Sequence, residues 1–481
     1  MEPSRRRRNI GLALGVTSFV LMLLLPPPDG LELVPWRVAA VAVLMAVFWL
    51  SEAIPISATA LLPLPLFTML GVAPIDDVAA PYANPLIFLF LGGFLIALAI
   101  ERWNLHRRIA LTVLSGVGAR EDLQIGGFMI ATAGLSMWVS NTATAVMMLP
   151  VALSVVPRDV NGDVEPEKRE FAAALLLSVA YGASIGGIAT LIGTPPNALL
   201  AGFMLENYEV EIGFGQWMLL GLPVSMVMLV LTWLMLTRRL FKVGRHEVAG
   251  ARTAIWQALH DMGPASRAEK RVAIVFGMTA LLWISRPLLS RWFPGLELSD
   301  TTIALAGALS LFVIPNGFKR GEFLLTWEQA ERLPWGVLLL FGGGLSLAAA
   351  VSDSGLASWI GGELVGLQGW PVIVLVLTVT VLIIFLTELT SNLATSATFL
   401  PVVAALAVSL ERDPLLLAIP AVLAASCAFM LPVATPPNAI VFGSGQITIP
   451  QMAKAGIWLN LIGIVVVVSL VYLLMGVVFG V

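Results

Sequence analysis

Long apolar runs without a charged residue alternate with short polar connections along nearly the whole chain. A run of about 20 apolar residues is enough to cross a hydrocarbon core of about 30 Å as a helix. Charge-free runs of roughly that length or more include 9–28, 53–75, 78–100, 123–157, 171–205, 212–237, 414–453 and 455–481. The pattern predicts an all-α polytopic membrane protein and excludes a soluble globular one.

Apolar runs and chain-breaking residues together predict eleven transmembrane helices. Their expected bounds are 9–27, 33–50, 54–73, 84–100, 171–202, 213–236, 270–290, 300–315, 335–351, 414–442 and 455–480. The first span follows the basic Arg5–Arg8, but it is longer than the apolar core of a signal peptide. Because Pro26–Asp29 offers no small-residue cleavage site, we expect this span to be retained.

Two apolar segments are too long for one crossing and too short for two. One is 123–157, and the other is 364–410, whose only charged residue is Glu388. Each carries small polar residues near its middle, and irregular backbone at membrane depth is tolerated only where it is buried in protein or lines a cavity. We therefore predict two re-entrant helical hairpins, at 123–157 and 369–410.

The positive charges indicate how the chain is oriented. With the amino terminus in the cytoplasm, 23 of the 27 Lys and Arg residues fall in predicted cytoplasmic segments, as the positive-inside rule requires. The odd number of spans then puts the carboxyl terminus outside. We expect a multi-pass protein of a bacterial inner membrane.

Composition narrows the functional classes. Only 12% of residues are charged while 58% are hydrophobic, and the net charge of −3 gives no support for nucleic-acid binding. Cys427 is the only cysteine, which excludes an internal disulfide. Because the protein is embedded in a membrane, lipid is an expected partner.

The two hairpins belong to an internal repeat. Residues 140–151 match 391–402 at 7 of 12 positions, and Thr-Pro-Pro-Asn-Ala at 194–198 recurs at 435–439. Gly92-Gly93 corresponds likewise to Gly342-Gly343. Since each copy contains five predicted spans, the second inserts upside down, which predicts inverted-topology repeats. The expected units are 1–32 (tail and first span), 33–236 (first repeat), 237–269 (a cytoplasmic connecting helix) and 270–481 (second repeat).

The repeated motifs favour ion binding over catalysis. Two consecutive prolines should break a spanning helix, so that a half-helix begins there with free N–H groups. Neither hairpin nor either broken span contains Lys, Arg or His. An anion would therefore be held by helix ends, hydroxyls, amides and co-bound cations, and oxygen ligands of this kind suit an alkali cation such as Na⁺.

Rival functions have weaker support. Gly182–Gly186 fits the nucleophile-elbow pattern of hydrolases but lies in a charge-free span, so we interpret its glycines as helix-packing residues and expect no enzyme. His106, His246 and His260 lie in basic loops and are interpreted as surface residues. An anion channel would need a continuous polar pore, whereas the sequence indicates two closed sites capped by hairpins.

Glu388 is expected to be functional, either as a tuner of a cation site or as a proton carrier.

The hairpin tips, together with Ile185–Asn197 and Met430–Ala439, resemble the divalent anion/sodium symporter family over nearly the whole chain from about Pro35. The resemblance implies a homodimer in which a transport domain, made of the hairpins and broken spans, moves against a scaffold domain in an elevator mechanism. It also implies C4-dicarboxylate substrates such as succinate, malate or fumarate. Sulfate, tricarboxylates and dicarboxylate exchange remain alternatives.

The resemblance also implies site residues. One sodium site would use Ser136, Ser140, Asn141 and backbone near Ala189, and the other Thr387, Thr390, Asn392 and backbone near Ala434. The substrate-contacting positions would be Ser140, Asn141, Thr142, Thr190, Asn392, Leu393, Thr435 and Pro436. Leu393 departs from the family, because an apolar side chain replaces a hydroxyl that other members present to substrate. No fixed positive charge is expected near the cation positions, which favours symport over exchange.

Overall fold

The computed structural model describes residues 5–157, 164–248, 250–293, 295, 298–317, 321–363 and 369–480. Throughout these ranges the regular elements are helices, which confirms the predicted all-α class. The helices of the amino-terminal half are α1 (Arg5–Leu24), α2 (Leu33–Ser51), α3 (Ile56–Thr59), α4 (Pro63–Met69), α5 (Ile75–Ala79), α6 (Pro85–Arg102), α7 (Leu105–Ser115), α8 (Glu121–Ser136), α9 (Asn141–Val155), α10 (Arg169–Ile188), α11 (Pro195–Tyr208) and α12 (Phe214–Met235). Those that follow are α13 (Ala251–Asp261), α14 (Arg267–Trp292), α15 (Asp300–Leu311), α16 (Trp327–Ala330), α17 (Trp335–Asp353), α18 (Leu356–Glu363), α19 (Val372–Thr387), α20 (Asn392–Ser409), α21 (Leu415–Ala425), α22 (Pro436–Phe442) and α23 (Ile449–Val478).

Within the described ranges, nine helical segments are long and apolar enough to cross a membrane. Eight coincide with predicted spans, and the ninth is α20, an arm of the second predicted hairpin. The predicted spans 54–73, 300–315 and 414–442 are instead built from shorter helices. Proline residues explain these shorter helices. Pro55 and Pro63 divide 54–73, Pro315 ends 300–315, and 414–442 is unwound before Pro436.

Each predicted hairpin is a pair of packed helices joined by a four-residue tip. The first pairs α8 with α9 and the second pairs α19 with α20. After each hairpin comes a broken helix: α10 stops at Ile188 and α11 resumes at Pro195, while α21 stops at Ala425 and α22 resumes at Pro436. The hairpins and breaks therefore occur in the same order in the two halves of the chain.

The broken helices form the centre of one body. All the residues of α10 from Phe171 to Ile188 are buried, and α10 contacts both arms of the first hairpin, α12 and α22. In the corresponding way α21 contacts both arms of the second hairpin, α23 and α11. The first piece of each broken helix thus packs against the second piece of the other, so neither half could form this body by itself.

The repeated glycine pairs allow close packing between the halves. A β-carbon at Gly92 in α6 would lie 2.7 Å from the carbonyl carbon of Ala304 in α15. A β-carbon at Gly343 in α17 would collide with the backbone of Ala60, which follows α3. In each case a helix of one half crosses a short helix of the other half at a glycine, as small residues permit in membrane helix packing.

A charged cluster and an aromatic stack connect the first hairpin to the helices that follow α13. Arg286 in α14 pairs with Asp300 (3.1 Å), which accepts a hydrogen bond from the backbone N–H of Phe214 (2.7 Å). The ring of Phe214 stacks on Trp283 at 4.5 Å and on Trp138, in the first hairpin tip, at 5.9 Å between ring centroids. Phe214 therefore joins the tip to α14 and α15.

The sequence predicts a cytoplasmic connecting helix at 237–269, and the observed helix covers only part of that segment. Within the described residues it is α13, which buries Ala251 and Ile255 and contacts α7 and α9. His106, which we interpreted as a surface residue, is buried in α7, and its ring nitrogen lies 3.2 Å from the carbonyl oxygen of Ile100. Burial lowers the pKa of His106 and so favours a neutral imidazole.

The contact at Gly343 gives a stability prediction. Gly343→Ala would force the backbones of α17 and residue 60 apart. We therefore expect the free energy of unfolding to fall by about 1–3 kcal/mol, the usual cost of overpacking. Thermal unfolding of the purified protein in detergent measures this loss. Gly134→Ala is the matched control, because a β-carbon there has no heavy atom within 4 Å. Equal melting temperatures for the two variants would contradict the proposed contact.

Candidate functional site

Both hairpin tips and both helix breaks line a single cavity of about 600 Å³. The residues that precede the resuming helices are Ser140, Thr194, Ser391 and Thr435, and all four are on its wall. Ser140 and Ser391 each accept a hydrogen bond from the backbone N–H three residues later, at 3.2 and 3.1 Å. These are helix N-caps, and the N–H groups at such ends carry a partial positive charge.

An oxygen-rich cluster surrounds Asn141 at the first tip. The amide atom placed as Oδ1 lies 2.5 Å from Ser136 Oγ and 3.2 and 3.3 Å from the carbonyl oxygens of Ala183 and Gly193. Carbonyl oxygens repel one another unless a donor or a cation lies between them. With the amide turned over, its nitrogen donates to all three oxygens. The same hard oxygen ligands are of the kind that suits Na⁺.

The glycines of the first break make room for this cluster. A β-carbon at Gly187 would lie 2.7 Å from Asn141 Oδ1, and one at Gly193 would lie 2.5 Å from the carbonyl oxygen of Gly187. The backbone of the break can therefore approach the tip only because both positions lack a side chain.

Thr190 connects the first break to the first tip. Its hydroxyl donates to the carbonyl oxygen of Met137 at 2.5 Å and accepts from the N–H of Gly193 at 3.0 Å. Thr190 is fully buried and is not among the described residues that line the cavity. Its contacts are those of a residue that positions the tip, whereas the resemblance implied substrate contact.

The second tip repeats part of this arrangement. Thr387 Oγ1 donates to Asn392 Oδ1 at 3.1 Å and to the carbonyl oxygen of Ala425 at 2.9 Å. Thr390 Oγ1 lies 2.6 Å from Thr395 Oγ1 and donates to the carbonyl oxygen of Leu386. The hydroxyl of Thr390 is thus engaged within the hairpin.

Glu388 connects the second tip to the second break. Its buried carboxylate accepts hydrogen bonds from the backbone N–H groups of Phe429 (2.7 Å), Met430 (3.0 Å) and Leu431 (3.2 Å) and from Asn460 Nδ2 (2.8 Å). Successive N–H groups of this kind form an anion-binding nest. The contacts are all with donors, which match a charged carboxylate and favour the role of cation-site tuner over that of proton carrier.

Two asparagines complete the breaks. Asn197 Nδ2 donates to the carbonyl oxygens of Gly187, Ile188 and Thr190, and Asn438 Nδ2 donates to those of Ala428 and Leu431. Both side chains are buried. Both belong to the repeated Thr-Pro-Pro-Asn motif, whose prolines predict the break and whose asparagine binds the carbonyl oxygens that the break frees.

The structure separates the site residues implied by the resemblance into two groups. On the cavity wall are Ser140, Asn141, Thr142, Asn392, Leu393, Ala434, Thr435 and Pro436. Buried behind that wall are Ser136, Ala189, Thr190, Thr387 and Thr390. Leu393 therefore faces the cavity, although it also packs against the hydrophobic core.

A second part of the cavity wall lies outside the predicted motifs. It is formed by Phe94, Ala97, Leu98 and Glu101 of α6 and by Arg332, Leu333, Pro334 and Val337 at the start of α17. These residues lie outside the hairpins and breaks, and no motif in the sequence marks them.

Two arginines come closer to the tips than the sequence suggested. Arg7 donates to the carbonyl oxygen of Leu389 at 3.0 Å, and Arg332 lines the cavity. Leu389 is exposed and is not among the described lining residues, so Arg7 binds the second tip away from the cavity. The expectation of no positive charge near the tips therefore holds for the hairpins and breaks but not for the rest of the chain.

Comparisons with known proteins agree with this geometry. A family model described as the sodium:sulfate symporter transmembrane region matches residues 6–480. The sodium-dependent dicarboxylate transporter SdcS of Staphylococcus saprophyticus is 46% identical over 479 residues, covering 98% of this chain and 92% of that protein. SdcS of Staphylococcus aureus strain USA300 is 43% identical, covering 100% and 94%.

A solved structure shares the fold. The crystal structure of the Alcanivorax borkumensis YdaH transporter matches with a TM-score of 0.59 at 15% identity, covering 93% of this chain and 98% of that one.

The contacts of Glu388 give a prediction for the site. Glu388→Gln would put an amide NH₂ among backbone donors and remove charge-assisted hydrogen bonds, each worth about 1.5–3 kcal/mol. We expect a lower melting temperature and a higher sodium concentration at half-maximal substrate binding, measured in detergent. Glu363→Gln, at an exposed position in α18, is the control. Unchanged stability and sodium dependence in Glu388→Gln would show that the nest does not need the charge.

Proposed function

The chain belongs to the family described by the sodium:sulfate symporter transmembrane region, the divalent anion/sodium symporters, and we propose that it is a secondary transporter that moves C4-dicarboxylates together with sodium ions. Its relatives at 43–46% identity over nearly the full chain are named sodium-dependent dicarboxylate transporters. Succinate, malate and fumarate are the proposed substrates.

The meeting of both hairpin tips and both helix breaks at one cavity is the observation that carries the proposal. At the first tip, Ser136 Oγ, the Asn141 side-chain oxygen and the carbonyl oxygens of Ala183 and Gly193 come together, with Ser136 donating to the amide oxygen. A sodium ion there would satisfy all four oxygens. Its charge would also lie beside the N-cap Ser140, where a carboxylate of the substrate would bind.

The remaining assignments follow the same chemistry. The first sodium ion would be held by Ser136, Ser140, Asn141 and backbone of the first break, and the second by Thr387, Asn392 and backbone near Ala434. The substrate would contact the hydroxyls, amides and N–H groups on the cavity wall, namely those of Ser140, Asn141, Thr142, Asn392 and Thr435. Thr190 and Thr390 would act indirectly, through the hydrogen bonds that fix the tips.

Sodium and substrate binding would then be coupled, because each tip asparagine contacts both. Sodium ions at the tips would supply the positive charge that the hairpins lack. The dianion would therefore bind only weakly until sodium is bound. Sodium acts here as a co-transported ion.

We further propose an elevator mechanism in a homodimer of the bacterial inner membrane, with the amino terminus in the cytoplasm and the carboxyl terminus outside. The body built from α8–α12 and α19–α23 would be the transport domain, and α1–α7 with α14–α18 would be the scaffold. The cavity lies between the two sets. Cysteine pairs across this interface, introduced after Cys427 is replaced, should cross-link in different sets in the inward- and outward-facing states.

Liposome transport tests the function. With an inward sodium gradient, the reconstituted protein should accumulate labelled succinate, and replacement of sodium by potassium or choline should abolish accumulation, because those cations do not suit a four-oxygen site of this size. Sulfate, citrate and aspartate in parallel would define the substrate class. Equal uptake in all three salts would contradict sodium coupling, and uptake of sulfate alone would move the protein to another branch of the family.

Leu393 gives a second test. Leu393→Thr would return a hydroxyl to the cavity wall, and one hydrogen bond of about 0.5–1.5 kcal/mol corresponds to about 2- to 12-fold in affinity. We expect the KM for sodium-driven succinate uptake to fall by a factor in that range. Leu389→Thr, on the same tip but outside the cavity lining, is the matched control. Unchanged kinetics with a lowered melting temperature would mean that Leu393 serves packing only.

A further inference from the structure

Two of the described residues that line the cavity are charged. Glu101 lies in the last turn of α6, and Arg332 lies just before α17. Every other described residue that lines the cavity is apolar or neutral. Both charges belong to the part of the cavity wall outside the hairpins and breaks, and Arg332 is exposed, so the cavity reaches the protein surface beside it.

Neither side chain has a partner in the described part of the chain. They are not paired with each other, and neither makes a side-chain hydrogen bond or an ion pair. The neighbouring Arg102 is different, since it donates to Gln329 Oε1 at 2.5 Å and to the carbonyl oxygen of Leu324 at 2.9 Å. Because Gln329 is in α16, this contact fixes the ends of α6 and α16 together and so sets the spacing of Glu101 and Arg332.

An unpaired charge is costly where water is partly excluded, as at the half-buried Glu101, and an ionisable group near a membrane is usually paired or functional. A negative and a positive group kept apart on one cavity wall could each receive an ion of opposite sign. The ions that reach this cavity, on the proposed function, are a dicarboxylate and sodium. The tips bind them through neutral groups, whereas this wall offers full charges.

We propose that Glu101 and Arg332, here called the mouth pair, form a release site through which the two kinds of cargo leave on the cytoplasmic side. Arg332 binds a carboxylate of the departing dicarboxylate, and Glu101 attracts the departing sodium. The inference rests on the proposed function and adds to it a second binding site for the same cargo, distinct from the hairpin tips.

The mouth pair should act from one side of the membrane only. Glu101 and Arg332 belong to segments that the positive-inside rule puts in the cytoplasm. The tips belong to the body that moves, and the mouth pair to the other. When the transport domain carries the tips to the outer side, cargo that binds there no longer faces Glu101 or Arg332.

Oppositely oriented membrane vesicles test this asymmetry. Sodium-driven succinate uptake would be measured in right-side-out and inverted vesicles from a host without dicarboxylate transport. For Arg332→Gln we expect the half-saturating succinate concentration to rise about two- to fivefold at the cytoplasmic face, the range for one exposed charge contact, and to stay unchanged at the outer face. Glu101→Gln should instead raise the half-saturating sodium concentration, again at the cytoplasmic face only.

Salt provides an independent readout. The difference between Arg332→Gln and the parent should shrink as choline chloride is raised from about 0.01 to about 0.15 M, because the Debye length falls from about 30 to about 8 Å. A purely structural role of Arg332 would not depend on salt in this way. Arg332→Lys should restore the affinity, since it keeps the charge.

Arg252→Gln is the matched control, because it removes an exposed arginine from α13 outside the cavity lining. It should leave the half-saturating concentrations of succinate and sodium unchanged at both faces. An equal change at both faces in Arg332→Gln, or none at either, would overturn the release site while leaving the proposed function intact. If the parent protein failed to take up succinate with sodium in either orientation, the proposed function itself would fail.

Discussion

A helix interrupted inside a membrane must satisfy the backbone groups that the break releases, because no bulk water is available to do so. This requirement governs the centre of the structure. Asn197 and Asn438 bind the carbonyl oxygens freed at the two breaks, and the N–H groups of the second break bind the carboxylate of Glu388. The remaining free groups face the cavity, where polar cargo can bind them.

The two halves meet the same requirement with different residues. At the first break, the hydroxyl of Thr190 reaches the carbonyl oxygen of Met137 in the tip. In the second half the aligned positions are Leu431 and Glu388, and the bond runs the other way, from the break backbone to a side chain of the tip. Each tip is thus fixed to its own break, but only the second carries a buried charge. The two tips occupy corresponding positions in the repeat, but the side chains that fix them to their breaks are chemically different.

This arrangement explains how an anion can bind where the hairpins and breaks provide no cationic side chain. Partial charges at helix starts are modest, typically about 0.3–1 kcal/mol each, so co-bound cations have to provide the remaining compensation. On the proposed function, the oxygens around Asn141 would hold such a cation next to Ser140. Full positive charges lie outside the hairpins and breaks, at Arg7 on the outside of the second tip and at Arg332 on the cavity wall. A permanent charge at the tips would hold the dianion in every state and slow its release.

The sequence by itself determined the all-α membrane class, the two hairpins, the two breaks and the oxygen-rich chemistry of the tips. These are local properties, because apolar run length, Pro-Pro and Ser-Asn act within a few residues. Only the tertiary structure decided which oxygens meet. The carbonyls of residues 183 and 193 approach Asn141, Thr190 donates to the carbonyl oxygen of Met137, and α6 with the start of α17 completes the cavity wall. These contacts join residues up to about 240 positions apart, and they depend on how helices cross at glycines such as Gly343, which a one-dimensional pattern of apolar residues does not encode.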